Sequence, residues 1–218
     1  MAINFNQQLQ TPAPPSVGSA PTLYDRAYHD QSNGAMRTFF IKLINALATI
    51  AGPQGGKYLN TPYGAFQDDT DQTAANTTTA YAVTFNTTDF SNGVTLSNSS
   101  RLNVSQDGIY NIQFSIQFKN TTNDSHDVDV WFRKNGTNID ASNSRFHLSP
   151  RKSSGDPSHI IAAMNFFVEL AASDYIEIMW RPENIGVSIE HYGTSSSPTR
   201  PAVPSVIATL SFVSNRSA

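Results

Sequence analysis

The sequence predicts an all-β fold: an antiparallel two-sheet jelly-roll sandwich, preceded by an extended N-terminal arm and one amphipathic helix. Three observations lead there. From Gly64 onward, short stretches alternating apolar and polar residues recur, separated by Gly, Asn, Asp, Pro and Ser. One stretch alone, residues 33–51, carries apolar residues at three- and four-residue steps. The length, 218 residues, suffices for one good core with an appendage, and hardly for two large domains.

Taken in order, residues 1–32 read as an extended arm, polar and proline-bearing (Pro12, Pro14, Pro15, Pro21). Residues 33–60 read as a helix and a joint. Met36, Phe39, Phe40, Leu43, Ile44, Leu47 and Ala51 line one face, with Arg37, Lys42 and Asn45 opposite. Ser32 or Asn33 is the expected cap, and Gly52-Pro53 the stop. A short isolated helix with an apolar stripe is not stable in water, so it packs on its own domain, bundles with copies, or docks on a partner.

Residues 61–218 read as the sandwich. Gly64–Phe66, Tyr81–Phe85, Gly93–Leu96 and Arg101–Val104 are its first short strands. The organising strand is Gly108–Lys119, where Tyr110, Ile112, Phe114, Ile116 and Phe118 alternate with Asn111, Gln113, Ser115, Gln117 and Lys119. A period of two puts the first set on one face, toward a core, at roughly 1.5–3 kcal/mol gross for each large side chain. Asp127–Arg133 adds Val128, Val130 and Phe132 to that core and runs into the hairpin signal Lys134-Asn-Gly136. Trp131 is out of phase with them and faces away. Ser144–Leu148 follows.

His159–Leu170 is apolar on both faces: Met164, Phe166, Val168 and Leu170 on one, Ile161, Ala163 and Phe167 on the other. Such a strand is expected to be buried on both sides, one face in the core and the other against another element or subunit. Asp174–Trp180, a short piece at Val187–Tyr192, and Ser205–Phe212 complete the set.

Composition narrows the function classes. Hydrophobic residues make up 39% and charged ones only 14%, so polarity rests on Asn, Ser, Thr and Gln. A net charge of −3 leaves no basic footprint for nucleic acid. There is no Cys, which excludes disulfides and thiolate metal sites. No secretory signal and no membrane-length apolar run is present, so synthesis in the cytoplasm without a signal peptide and no membrane contact are expected. The five histidines show no metal-pair spacing, and neither a nucleophile elbow nor a phosphate loop occurs. Asp68-Asp69 with Asp71, and His126-Asp127 with Asp129, read as solvated turns before divalent-cation sites. Neither cofactor, metal nor enzymatic activity is expected. Trp131, Arg145, His147 and Tyr192 are the candidate ligand contacts, Trp131 either covering a neighbouring strand or subunit or acting as a sugar-stacking platform.

The order of segments from Gly64 to Val213 resembles the trimeric jelly-roll heads of the tumour necrosis factor and complement globular-head superfamily. Ala65-Phe66, Val83–Asn86, Asn92-Gly93, Leu102–Val104, Gly108-Ile-Tyr110, Val168–Leu170 with Asp174–Ile176, and Ala208–Phe212 carry it. Ser173 replaces the usual turn Gly, and the last strand lacks the family's Gly. The resemblance implies a homotrimer whose subunit interface includes Ile109, Asn111 and Gln113, with Ile161, Ala163 and Phe167 beside them. A Cys-free, Asn/Ser/Thr-rich head on a short N-terminal segment is similar to bacteriophage virion proteins. The expectation is a virion surface protein, anchored by residues 1–51 to capsid or tail proteins, serving as capsid decoration or as a fibre or tail-appendage knob. A host-surface glycan is its expected external contact. The alternative is a free-standing carbohydrate-binding, lectin-like module.

Overall fold

The computed structural model describes residues 13–17, 19, 21–51 and 61–214, with backbone alone for 49–51. It divides the chain into two compact units, Met1–Asn60 and Thr61–Ala218.

The first unit contains one helix, α1 (Arg26–Ala51). It begins well before the expected start at residue 33, because the cap is Asp25 rather than Ser32 or Asn33. The Asp25 Oδ1 accepts the backbone N–H of Ala27 at 2.8 Å and of Tyr28 at 3.4 Å. The added turns, Arg26–Gly34, are polar and give no apolar period to read. The division between arm and helix therefore falls at 25/26, not 32/33. Residues 1–12 of the expected arm and the expected joint at 52–60 lie outside the described residues.

The second unit is a sandwich of two antiparallel sheets. Its strands are β1 (Tyr63–Asp68), β2 (Gln72–Thr73), β3 (Tyr81–Ala82), β4 (Thr87–Asn92), β5 (Val94–Ser97), β6 (Arg101–Val104), β7 (Gly108–Asn120) and β8 (His126–Lys134). There follow β9 (Thr137–Asn138), β10 (Ser144–Leu148), β11 (Ser158–Leu170), β12 (Tyr175–Pro182), β13 (Val187–Ile189), β14 (Ser195–Ser196), β15 (Thr199–Arg200) and β16 (Val206–Ser214). The first sheet runs β4-β1-β16-β7-β11, with β13 and β2 extending one end; the second runs β10-β8-β12-β6-β5, with β3 and β9 at its margins. The chain passes back and forth between the sheets, at β2 to β3, β3 to β4, β4 to β5, β6 to β7, β7 to β8, β10 to β11, β11 to β12 and β12 to β13. Each strand's inner face thus meets residues distant in sequence.

β7 lies at the centre. It pairs with β11 along its whole length, Gly108 opposite Leu170 through Asn120 opposite Ser158. Its other edge pairs with β16 over Ile109–Ile116 and with β13 over Phe118–Asn120. Tyr110, Ile112, Phe114, Ile116 and Phe118 are buried against Val128, Val130 and Phe132, which are fully buried on β8. The Phe114 and Phe132 rings meet edge-on with centroids 5.8 Å apart. Gly108 opens β7 where a Cβ would stand 2.4 Å from the Phe212 ring, so the strand's start admits only hydrogen.

Two strands differ from the sequence pattern. The expected strand at 81–85 is regular only at Tyr81–Ala82, yet Val83 and Phe85 are buried and their N–H groups donate to Ile178 (2.8 Å) and Ser99 (2.6 Å). β4 is exposed and, apart from Phe90, polar, without alternation, and it is held as a strand by its pairing with β1.

Candidate functional site

The two outer faces of the sandwich differ in chemistry. On the first sheet, period two sends Ile109, Asn111, Gln113, Ser115, Gln117 and Lys119 of β7 outward. In register beside them stand Glu169, Phe167, Asn165, Ala163, Ile161 and His159 of β11. Ile161 and Phe167 are 64% and 59% exposed, and Ala163 is exposed as well. The pattern predicts burial on both faces; in the chain by itself the second face of β11 meets solvent, since no described element lies over it. Met164 and Phe166, on the inner face, are half-buried, while Val168 and Leu170 are buried.

The centre of this face is built from amides. Asn111, only 8% exposed, donates through Nδ2 to Asn165 Oδ1 and accepts the Gln113 Nε2–H at 2.9 Å. Ile109 is half-buried and Gln113 exposed. Ile207 of β16, opposite Ser115, adds an exposed apolar group across the sheet. The result is a sheet face with amides in the middle and apolar groups around them.

At one end of the same face Glu190 gathers charge. It pairs with Lys119 Nζ, accepts the Tyr192 hydroxyl at 2.5 Å, and lies 3.4 Å from His159 Nδ1. Tyr192 also stands 3.0 Å from His159 Nδ1. Burial, followed by the hydrogen bond to Glu190 and its charge, pushes the Tyr192 hydroxyl well above the ordinary tyrosine range.

The other outer face belongs to β10, β8 and β12. Arg145 donates to both carboxylate oxygens of Asp129 (3.0 and 3.4 Å), and Arg181 lies 3.7 Å from the same group. Those contacts, the hydrogen bond foremost, raise the Arg145 pKa further. His147 Nδ1 meets Asp127 at 2.8 Å. Farther along, Glu177, buried to 3%, takes hydrogen bonds from Ser100 (2.9 Å) and Arg133 (2.9 and 2.8 Å). Arg101 completes that group at 3.5 Å and stacks over the Tyr175 ring at 4.4 Å. Between the two charge groups stands Trp131, half-exposed, its indole N–H fixed on Asn138 Oδ1 at 2.8 Å.

The structure thus brings Trp131, Arg145 and His147 onto one face and leaves Tyr192 on the other side of the sandwich. Asp127 and Asp129 serve the arginine and histidine network. Asp68 accepts from Thr70 (2.8 Å), Asp69 from Asn86, and Asp71 from the His191 N–H (2.8 Å), so the three turn to separate partners. Among the described residues, no three metal-binding side chains come together, and no helix is long and apolar enough to cross a membrane. Sequence reasoning missed Asn165, Ile207, Glu177 and the Glu190 group. Asn165 was readable from its place between Ala163 and Phe167; Glu190 and His159 meet only through the fold.

No family model matches the chain, and no curated protein matches it in sequence.

Proposed function

We propose that this chain is a non-enzymatic structural protein of a virus particle surface, of the bacteriophage kind. In this reading three jelly-roll units associate through the outer face of β7, β11 and β16. Residues 1–51 anchor them to capsid or tail proteins, and the outer face of β10, β8 and β12 turns outward, available to a host-surface glycan at Trp131. The protein then acts as capsid decoration or as the head of a short fibre or tail appendage.

One observation carries the reading: Ile161, Ala163 and Phe167 of β11 and Ile207 of β16 stand exposed around a hydrogen-bonded amide centre. Large apolar side chains gathered on one exposed face mark an interaction surface. A closed ring of three joins two different patches of each copy, and a face bearing amide donors and acceptors side by side can supply both. The resemblance to the trimeric heads points the same way, because Gly108-Ile-Tyr110 opens the central strand and the last strand, β16, lies beside it. The charges of the opposite face are committed to one another, which suits a soluble outer wall.

The test is sedimentation of the full chain at micromolar concentration. A trimer is expected, and Phe167→Asp should give a monomer with unchanged circular dichroism. A monomeric parent chain would refute the reading. The anchoring claim is read separately: particles assembled with a chain lacking residues 1–51 should not carry the protein.

A further inference from the structure

Helix α1 is two helices in chemistry. Its first turns, Arg26–Gly34, carry no large apolar side chain except Tyr28. From Ala35 to Ala51 the polar residues are only Arg37, Thr38, Lys42, Asn45 and Thr49. At 3.6 residues per turn, Thr38, Lys42, Asn45 and Thr49 fall within about 60° of each other, and about 240° of the circumference is apolar apart from Arg37. Met36, Phe40, Ile41, Ile44 and Leu47 are exposed in the single chain.

That arc is too wide for one groove. A helix lying on a single partner surface hides a stripe little wider than about 100°. A helix touching two neighbours at once hides roughly twice as much. The spacing is moreover that of a helical bundle: Asn33, Phe40 and Leu47 recur every seventh residue, as do Met36, Leu43 and Ile50. They form the a and d positions of a heptad, with Thr38 and Asn45 at f, pointing outward. Phe39, Ile44, Ala46 and Ala51 occupy g and e positions, where two-stranded coils carry charges, and Arg37, at the first e, is the one charge there; apolar groups at these positions widen the seam toward three strands.

We infer that residues 35–51 form a parallel three-helix bundle with the same segment of two other copies. The inference rests on the three-fold reading of the sheet unit. Copies are the occupant because nine residues, 52–60, join the helix to Thr61. Once the sheet units associate, such short tethers hold the helices at a millimolar effective concentration, which no free partner matches. The polar turns Arg26–Gly34 then extend beyond the bundle, and Ile41, at b, is the one large apolar group left on its flank.

The chain has no cysteine, so single substitutions in the full-length protein report the contact cleanly. Leu43→Cys and Met36→Cys, at d, should form interchain disulfides under mild oxidation at least tenfold faster than Thr38→Cys, at f. Two variants are used so that misfolding of one, seen by circular dichroism, does not decide the matter. Equal rates at d and f, or no disulfide at d while the chain sediments as a trimer, would overturn the bundle and leave the sheet association standing. Disulfides at d only after adding capsid or tail proteins, or lipid vesicles, would overturn it in favour of those partners. A monomeric parent chain without disulfides would defeat both readings.

Discussion

Tyr110 shows how much one residue fixes. Its ring is fully buried and meets Phe212 edge-on at 5.7 Å, while its hydroxyl donates to the Gln106 carbonyl at 2.7 Å, closing the turn that leads into β7. Tyr110→Phe keeps the ring and loses this hydrogen bond, which costs about 0.5–1.5 kcal/mol. The expected readout is a lower urea midpoint with an unchanged slope. The same hydroxyl gives a pH signature. Burial first, and the charge of Asp107 second, push it up to about 12 from an ordinary value of 10.0. With the folded pKa raised, the unfolded chain releases the proton first. The stability tied to the neutral hydroxyl is therefore whole below pH 10 and declines as pH rises toward 12. Stability measured across that window should fall less steeply for Tyr110→Phe; an identical slope would contradict this assignment.

Among the elements, those with a buried alternating face were readable from sequence and those held by pairing alone were not. β7, β8, β11 and β16 announce themselves through residues such as Phe114, Val130, Val168 and Leu210, each facing the core at every second position. The hairpin after β8 was equally plain, since Asn135 and Gly136 take φ of 48° and 82°, which that dipeptide tolerates best. β4 had no such signal: Thr87, Thr88 and Asp89 face water, and β1 supplies what order they have. Capping misled in the same way, because Asp25 starts a helix whose apolar period opens only at Ala35. For the candidate site, the composition of the β11 outer face was legible, whereas its amide centre depends on the β7–β11 register. This contrast predicts the hydrogen-exchange map. β7 amides, bonded on both edges beneath buried rings, should exchange slowest, at or near the global unfolding limit. Those of β4, and of the β14–β15 hairpin, should exchange orders of magnitude faster. Protection of β4 equal to that of β7 would mean that another surface covers it.

For the whole molecule, the decisive quantity is how stability depends on concentration. If the outer face of the first sheet is shared among copies, folding and association are linked, and the melting temperature must rise with protein concentration. Phe167→Asp places a charge where a neighbour would lie, so its melting temperature should be independent of concentration and match the parent only at high dilution. Salt separates this face from the other. Asn111, Gln113, Ala163 and Phe167 carry no charge; Glu169 stands at one end of the face, and Lys119 and Glu190 at the other already pair within one chain. Association through such a surface should hold between about 0.05 and 0.5 M salt, where exposed ionic contacts weaken by screening. Association through the β10-β8-β12 face would instead break and remake the Arg145–Asp129 and His147–Asp127 pairs, and would loosen over the same range. Sedimentation and melting curves across that salt series thus tell which face meets its copy. A trimer that dissociates as salt rises would transfer the interface to the charged sheet and leave Ile161 and Phe167 without a partner.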